Sequence, residues 1–571
     1  MFRDSVIVCF VAIAALSSGA PSPSSSSSTS GEWWRDSFIY QVYPRSFKDS
    51  NGDGIGDLNG VTSKLDYFVD LNISAFWLSP IFKSPMVDFG YDISNFTAID
   101  PIFGTTNDFK KLTTEAHARG LKVILDWVPN HSSDEHPWFE KSIKKIKPYD
   151  DYYIWKDAKI INGTRHPPNN WLSIFLGSAW EWNEKRQQYY LHQFAIKQPD
   201  LNFRNAALRK EMEDALVFWI KNGADGFRID SIPYIYEDAQ FRDEPIVPNS
   251  GKPADDPATL KHIYTIDQIE TYELVQTWRN VIDSLGGEKK IIMTEAYTSL
   301  PNTVKYYKYG VDVPFNFMFV TSLNNHSTAL DFKRSIDGWI NNIPKGGNYI
   351  ANWVIDNHDN PRVTTRFGNL RADQNSMLAA ILPGLGVIYN GDEIGMEGLQ
   401  LSWKQTVDPQ GCNAGPERYA SLSRDGERTP FQWDTSTSAG FSTSNVTWLP
   451  VNPNYKKLNL AAQKNVPKSH YEIFRKLVAL KSLEIIKSGE LQIILATDKV
   501  LGVVRRLSNT TPIVLLINFS NDAIQIDASA WMNIPSSMSV YTSSVSSDIS
   551  LGAHLDTTSL RLNGASAVIL A

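Results

Sequence analysis

Three acidic residues, Asp230, Glu295 and Asp359, each stand at or just beyond the end of a short apolar run, in GADGFRIDS, KKIIMTEAY and NWVIDNHDN. Such runs become buried β-strands, and carboxylates gathered at strand ends can cleave a glycosidic bond. Breaking an acetal needs a proton donor for the departing oxygen and a group that attacks or supports the cation-like sugar carbon. In FRID, Arg228 and Asp230 are two apart, so on a strand both point to the same side and the guanidinium can pair with a nucleophilic carboxylate. Glu295 follows IIMT, an apolar setting that raises a carboxyl pKa and holds its proton until transfer. Asp359 follows His358, and the pair suits adjacent sugar hydroxyls while the carboxylate counters developing positive charge. Taken singly, a strand-end acid is more often a helix cap or ion-pair member, and a lone His358 or His131 a structural histidine; Asp356 reads as structural. The three acids carry chemistry only if one fold brings their strands together.

The elements that would do so alternate along the chain. Strand candidates are FIYQVYP (38–44), ISAFWLSP (73–80), GLKVILDWV (120–128), GADGFRID (223–230), KIIMTEAY (290–297), VDVPFNFMF (311–319), YIANWVIDN (349–357) and GVIYNGDE (386–393). Helical stretches such as 108–120 and 205–223 lie between most of them. Eight strand–helix units make a parallel α/β architecture, the (β/α)8 TIM barrel, whose catalytic groups sit at the carboxyl ends of the strands. A Rossmann-like sheet also alternates, but no G-x-G-x-x-G turn follows the first strand and no G-x-x-x-x-G-K-[ST] loop occurs. The alternation breaks over 131–201, rich in Tyr, Trp, Pro and Asn, which reads as a subdomain inserted after strand 3. From 483 to 571, short β-rich runs separated by turn residues read as a carboxyl-terminal antiparallel β-sandwich. The barrel would then occupy 32–130 and 202–482.

Hydrophobic residues make up 42% and charged residues 20% of the 571, an ordinary globular composition for a chain long enough to need more than one core. A net charge of −7 with no long basic block argues against nucleic acid as a partner. Residues 1–20 read as a signal peptide: Arg3 precedes an apolar stretch (6–16) too short to span a membrane, with small residues after it. Residues 21–31 read as a disordered spacer. Secretion into the extracellular space follows, with no membrane span and no lipid-anchor tail. Cys412 would be the only mature cysteine, so no internal disulfide forms. Candidate N-glycosylation sites are Asn72, Asn95, Asn162, Asn325, Asn445, Asn509 and Asn518; the sequon at Asn130 is set aside for its closeness to the active-site motifs.

The ordered set QVYPRSFKDSNGDGIGDL, WLSPIFKSPMVDFGYDI, DWVPNHSS, QPDLN, GFRIDS, TEAY and NHDN resembles family thirteen of the glycoside hydrolases, the α-amylase superfamily, and within it the insect α-glucosidases, or maltases. The resemblance runs from about Trp34 to near the end. It implies an exo-acting retaining α-glucosidase in which Asp230 is the nucleophile, Glu295 the general acid and then base, and Asp359 the transition-state stabiliser. It further implies that Asp88 and Tyr91 line the terminal-glucose subsite, that Asp126, His131, Arg228 and His358 complete it, and that Arg428 pairs with Asp88 to close it. Substrates would be small sugars: maltose, sucrose and short malto-oligosaccharides, with transfer of glucose to other sugars; Ser231, beside the nucleophile, favours α-1,4 and α-1,2 linkages. The protein would be a monomer or weak homodimer.

In DSNGDGIGD, oxygen donors at Asp49, Asn51, Asp53, the Ile55 carbonyl and Asp57 copy the first part of a calcium loop, although Gly60 stands where an EF-hand needs Glu. An Asx-rich turn held by its own side chains accounts for the same residues. The resemblance implies a structural Ca²⁺ there and no organic cofactor. Rival readings are a sucrose-specific hydrolase, another glucosyl transferase of the superfamily, and a non-catalytic amylase-like binding or receptor protein; the last predicts a missing carboxylate or a membrane segment.

Overall fold

The computed structural model describes residues 32–531 and 534–571. The signal peptide and spacer expected over 1–31 lie outside the described residues.

All eight expected strands form, and they pair in parallel in one sheet: β1 (Phe38–Val42), β2 (Ala75–Leu78), β3 (Lys122–Trp127), β4 (Gly226–Ile229), β5 (Ile291–Thr294), β6 (Val313–Pro314), β7 (Asn352–Val354) and β8 (Leu385–Tyr389). The sheet runs β6-β5-β4-β3-β2-β1-β8-β7, an almost closed barrel. The only interruption is between β6 and β7. The long apolar run 311–319 yields a two-residue strand because Pro314 has no N–H to continue a ladder, and the chain turns into a helix at Met318–Thr321. Asn352 spans the gap with its side chain, accepting from Asn316 N at 2.7 Å and donating to the Pro314 carbonyl at 2.6 Å.

The helix expected over 108–120 spans Thr106–Ala118, because Thr105 and Asp108 form a reciprocal capping box that starts it two residues earlier. Ala206–Lys221 forms as expected, capped by Asn205, and buries Leu208, Met212, Ala215, Leu216 and Trp219 at helical spacing. Close strand pairing needs a glycine at one point: a Cβ on Gly226 would approach the Ile291 carbonyl oxygen to 2.2 Å.

Between β3 and its helix, an inserted antiparallel sheet (Trp155–Lys156, Gln188–Leu191, Trp180–Asn183) packs Ile154, Trp171, Trp180 and Tyr189 into a small core of its own. At the carboxyl end, a six-stranded sheet follows the period-two rule. Val503, Leu515, Ile517 and Ile569 join the core shared with the barrel, and Val504, Val514, Leu516 and Val568 fill a separate one. Trp33–Ala571 forms one compact unit, and no helix among the described residues is long and apolar enough to cross a membrane.

Candidate active site

Register places the acids. Arg228 on β4 lies directly opposite Asp126 on β3 and Met293 on β5, so Asp230 and Glu295, each two steps further along, leave neighbouring strands at the same level. Ser231 then takes a left-handed conformation (φ 45°, ψ 36°), a rare state for a residue with a side chain, which turns the chain sharply after Asp230. Its amide donates to Glu295 Oε2 at 3.0 Å.

One guanidinium holds the two acids together. Arg228 Nη1 donates to Asp230 Oδ1 at 2.6 Å and Asp126 Oδ1 at 2.9 Å, while Nη2 lies 2.7 Å from Glu295 Oε1. No donor among the described residues hydrogen-bonds Asp230 Oδ2, so that oxygen is left for an incoming atom. Three buried carboxylates on one cation cannot all ionise cheaply. Burial pushes Glu295 well above the usual carboxylate range, Arg228 opposes the shift, and the charges of Asp230 and Asp359 add to it. Burial likewise raises Asp126 to about 7. Asp359 moves the other way: burial would raise it, but His358, Arg428 and Arg424 outweigh burial and hold its carboxyl well below the usual range.

These groups face a cavity of about 220 Å³. Asp88, Tyr91, His131, Asp230, Glu295 and Asp359 line it. Asp126, Arg228, His358 and Arg428 stand behind that lining and orient it. Tyr91 stacks on His358, ring centroids 5.4 Å apart and 7° from parallel, and its hydroxyl lies 2.6 Å from His358 Nε2 and 3.1 Å from Asp126 Oδ2. At most one face of Tyr91 is therefore left for a sugar. Burial lowers His131 to about 4, so its imidazole is uncharged at neutral pH.

The closing pair differs from expectation. Arg428 does not bond Asp88; its Nη2 donates to Asp359 Oδ1 at 2.8 Å and its Nε to the His358 carbonyl at 2.8 Å. Asp88 is held by Arg424, whose Nη2 donates to Asp88 Oδ1 at 2.8 Å. A single helical turn, Asp425–Glu427, separates the two arginines and sends them to different partners. Arg424 also reaches Asp359 Oδ1 at 3.1 Å and is braced by Asp408 at 2.6 and 2.8 Å. Burial raises Asp88 to about 6, against the pull of Arg424 and Arg428.

Arg424 was missed although SRDGER displays both arginines. Phe175 and Phe194 from the inserted segment, Tyr234 and Tyr297 also line the cavity, and only the aromatic richness of the insertion hinted at the first two. Gln198, within QPDLN, donates to Asp88 Oδ2 at 3.3 Å.

In the Asp49–Asp57 loop, Asp49 accepts from the amides of Asn51, Gly52 and Gly54 at 2.7–2.9 Å and from Ser442 Oγ at 2.5 Å. Asp53 accepts from Ile55 N, and Asp57 from Ser50 N and Gly60 N. Every offered donor is a hard oxygen, a set that suits Ca²⁺, although no three His, Cys, Asp or Glu side chains converge on a metal position among the described residues. Of the candidate glycosylation sites, Asn518 is excluded. It ends a central strand, is fully buried, and spends its Nδ2 on the carbonyls of Asp522, Leu562 and Asn563. Asn72, Asn95, Asn162, Asn325, Asn445 and Asn509 are exposed.

A β/α barrel whose strand ends carry a paired aspartate and glutamate beside a third acid is the architecture of a glycoside-cleaving enzyme. The α-amylase catalytic-domain model matches residues 41–489, and the chain belongs to the α-amylase family, with an α-glucosidase-type catalytic domain. It is 49% identical over 514 residues to the alpha-glucosidase of Apis mellifera, covering 90% of each chain. It is 50% identical over 470 residues to the salivary alpha-glucosidase of Anopheles gambiae, covering 80% of this chain and 79% of that one. Among solved structures, a MutB point mutant in complex with the substrate sucrose superimposes with a TM-score of 0.82 at 31% identity, covering 95% of this chain and 100% of that one.

Proposed function

We propose that the protein removes the terminal non-reducing glucose from maltose, sucrose and short malto-oligosaccharides by a retaining double displacement. The observation that carries this reading is the grip of one guanidinium on both Asp230 and Glu295, next to a cavity whose lining includes the ion-paired Asp88 and Arg424. A nucleophile and an acid held on two nitrogens of the same group stand close together, as a retaining pair about 5–5.5 Å apart requires. Asp230 Oδ2 attacks the anomeric carbon while Glu295 gives its proton to the leaving oxygen. Water, activated by the resulting Glu295 carboxylate, then releases glucose with its configuration retained. An alcohol in place of water gives transfer. The intact acid triad opposes a purely binding role.

The test is a panel of maltose, sucrose, isomaltose, trehalose and soluble starch with detection of the released anomer. Rapid release of α-glucose from maltose or sucrose, with starch slow, is expected. Initial β-glucose would contradict retention, and cleavage of sucrose alone would favour the narrower sucrose hydrolase.

Likeness to salivary enzymes, the amino-terminal leader and the exposed sequons support secretion to the extracellular space. The loop Asp49, Asn51, Asp53, Ile55 and Asp57 would hold a structural Ca²⁺ by its alternating oxygens, remote from the chemistry. On that reading, added Ca²⁺ raises the thermal midpoint of chelator-treated protein by a few degrees and leaves kcat unchanged. An identical midpoint with and without Ca²⁺ would leave the loop as a self-sufficient turn.

A further inference from the structure

Asp356 lies outside the cavity lining yet clasps the turn that carries His358 and Asp359. It is fully buried just past the end of β7, where its Oδ1 accepts from Asn357 N at 3.0 Å and its Oδ2 from Val363 N at 2.8 Å. One carboxylate thus ties the first residue of the turn to the start of the helix at Val363–Phe367. Between those anchors the His358 carbonyl accepts from Arg428, and Asp359 Oδ1 accepts from Arg428 and Arg424. A shift of the clasp would move the Asp359 carboxylate relative to both arginines.

A second acid holds the clasp. Val354 on β7 pairs with Val387 on β8, and the same register carried two places further sets Asp356 beside Tyr389. The Tyr389 amide donates to Asp392 Oδ2 at 2.9 Å. Asp392 Oδ1 is enclosed and receives no N–H or O–H from the described residues; the group it meets is the Asp356 carboxyl. Two carboxyl groups hydrogen-bond each other only if one of them carries a proton. Asp356 accepts two backbone amides and has Arg366 at 3.5 Å and Arg362 nearby, so it is the better seat for the charge and the proton stays on Asp392. Burial and the charge of Asp356 push Asp392 well above the usual carboxylate range; the Tyr389 amide and Arg362 oppose the shift, and Glu393 adds to it.

We propose that Asp392 is a positioning residue: as a neutral acid it donates a hydrogen bond to Asp356, and the bonded pair fixes the turn that aims His358 and Asp359 at the sugar. This role rests on the retaining-glucosidase reading above, in which Asp359 steadies the cation-like transition state. Asp392 itself lines no wall of the catalytic cavity and touches no substrate. The pair responds to pH in one direction. An acid whose pKa is raised by folding stabilises the fold below its unfolded value, and that contribution is lost as pH rises through the folded value. The charged and titratable groups facing the pair are Arg362 and Arg366 from the segment after β7, Glu393 beside Asp392, Glu427 near Asp356, and Tyr40 on β1, whose hydroxyl donates to Glu393 Oε1 at 2.7 Å. Loss of the proton would set two carboxylates against each other among these groups.

The test measures kcat and KM on maltose, and the thermal midpoint from about pH 5 to about pH 9, in the unaltered full-length enzyme and two variants. In Asp392→Asn an amide N–H replaces the acid proton and the amide oxygen still accepts from Tyr389; Asp392→Val keeps a similar volume with no donor. Near neutral pH, kcat should stay within about twofold in Asp392→Asn and fall about tenfold to a hundredfold in Asp392→Val, with KM changed less, because a small misplacement of Asp359 costs the transition state more than the bound sugar. The midpoint of the unaltered protein should fall more steeply with rising pH than that of Asp392→Asn. Glu295 contributes equally to both, so the difference belongs to Asp392. If Asp392→Val does not fold, Asp392→Asn decides alone through its rate and its flatter midpoint. An unchanged kcat in folded Asp392→Val overturns the proposal. So does Asp392→Asn with a kcat reduced tenfold or more, or with a midpoint as pH-dependent as that of the unaltered protein. Failure of the unaltered enzyme to cleave maltose overturns the underlying function instead and leaves the midpoint comparison standing.

Discussion

Asp230→Asn lowers kcat on maltose by at least about a thousandfold, because an amide oxygen cannot form the covalent glucosyl intermediate. Folding is expected to survive. The Asp230 backbone amide still bonds the Trp127 carbonyl at 2.8 Å, and Arg228 still holds Asp126 and Glu295. Removing one of three carboxylates crowded on a single guanidinium relieves repulsion, so the thermal midpoint should equal or exceed that of the unaltered protein. Steady-state kinetics and thermal unfolding of the same preparation check both halves. A near-native rate would remove Asp230 from the chemistry, and a collapsed midpoint would make it a structural residue.

Glu295→Gln has the second-largest effect, a loss of about 10²–10⁴ in kcat on maltose, the usual worth of a general acid. Substrates whose leaving group needs no proton, such as α-glucosyl fluoride, should retain far more of the glucosylation rate. The pH dependence has a definite sign. Burial raises Glu295, with Asp230 and Asp359 reinforcing the shift, so the side chain keeps its proton to a higher pH than an ordinary glutamic acid. Activity should therefore persist with rising pH and fall only as pH passes through that raised value. In Glu295→Gln this basic limb disappears. If it remains, another group sets it, and Asp126, raised to about 7 on the same guanidinium, is the one to examine.

Both variants act on groups that were visible in the chain because their positions depend on short-range order. An apolar run of four or five residues that ends in an acid makes a strand whose last side chain emerges at the barrel rim, and Arg228 and Asp230 share a face by the period of two. The extent of β6 was less visible. Its run of nine residues looks like strand throughout, yet Pro314 stops the ladder and the side chain of Asn352, 38 residues away, completes the barrel.

The sequence alone determined the barrel, the inserted and carboxyl-terminal sheets, and the identities of Asp230, Glu295 and Asp359, since hydrophobic period and strand-end chemistry are local properties. Tertiary structure decided which arginine meets Asp88, that Asn518 is buried beyond the reach of glycosylation, and that Phe175 and Phe194 of the inserted segment line the catalytic cavity. Each of these depends on where a loop returns after many residues of separation. The one-turn helix between Arg424 and Arg428 shows the reason: four positions apart in a loop, two identical side chains reach different carboxylates, and only the folded path of the backbone sets which.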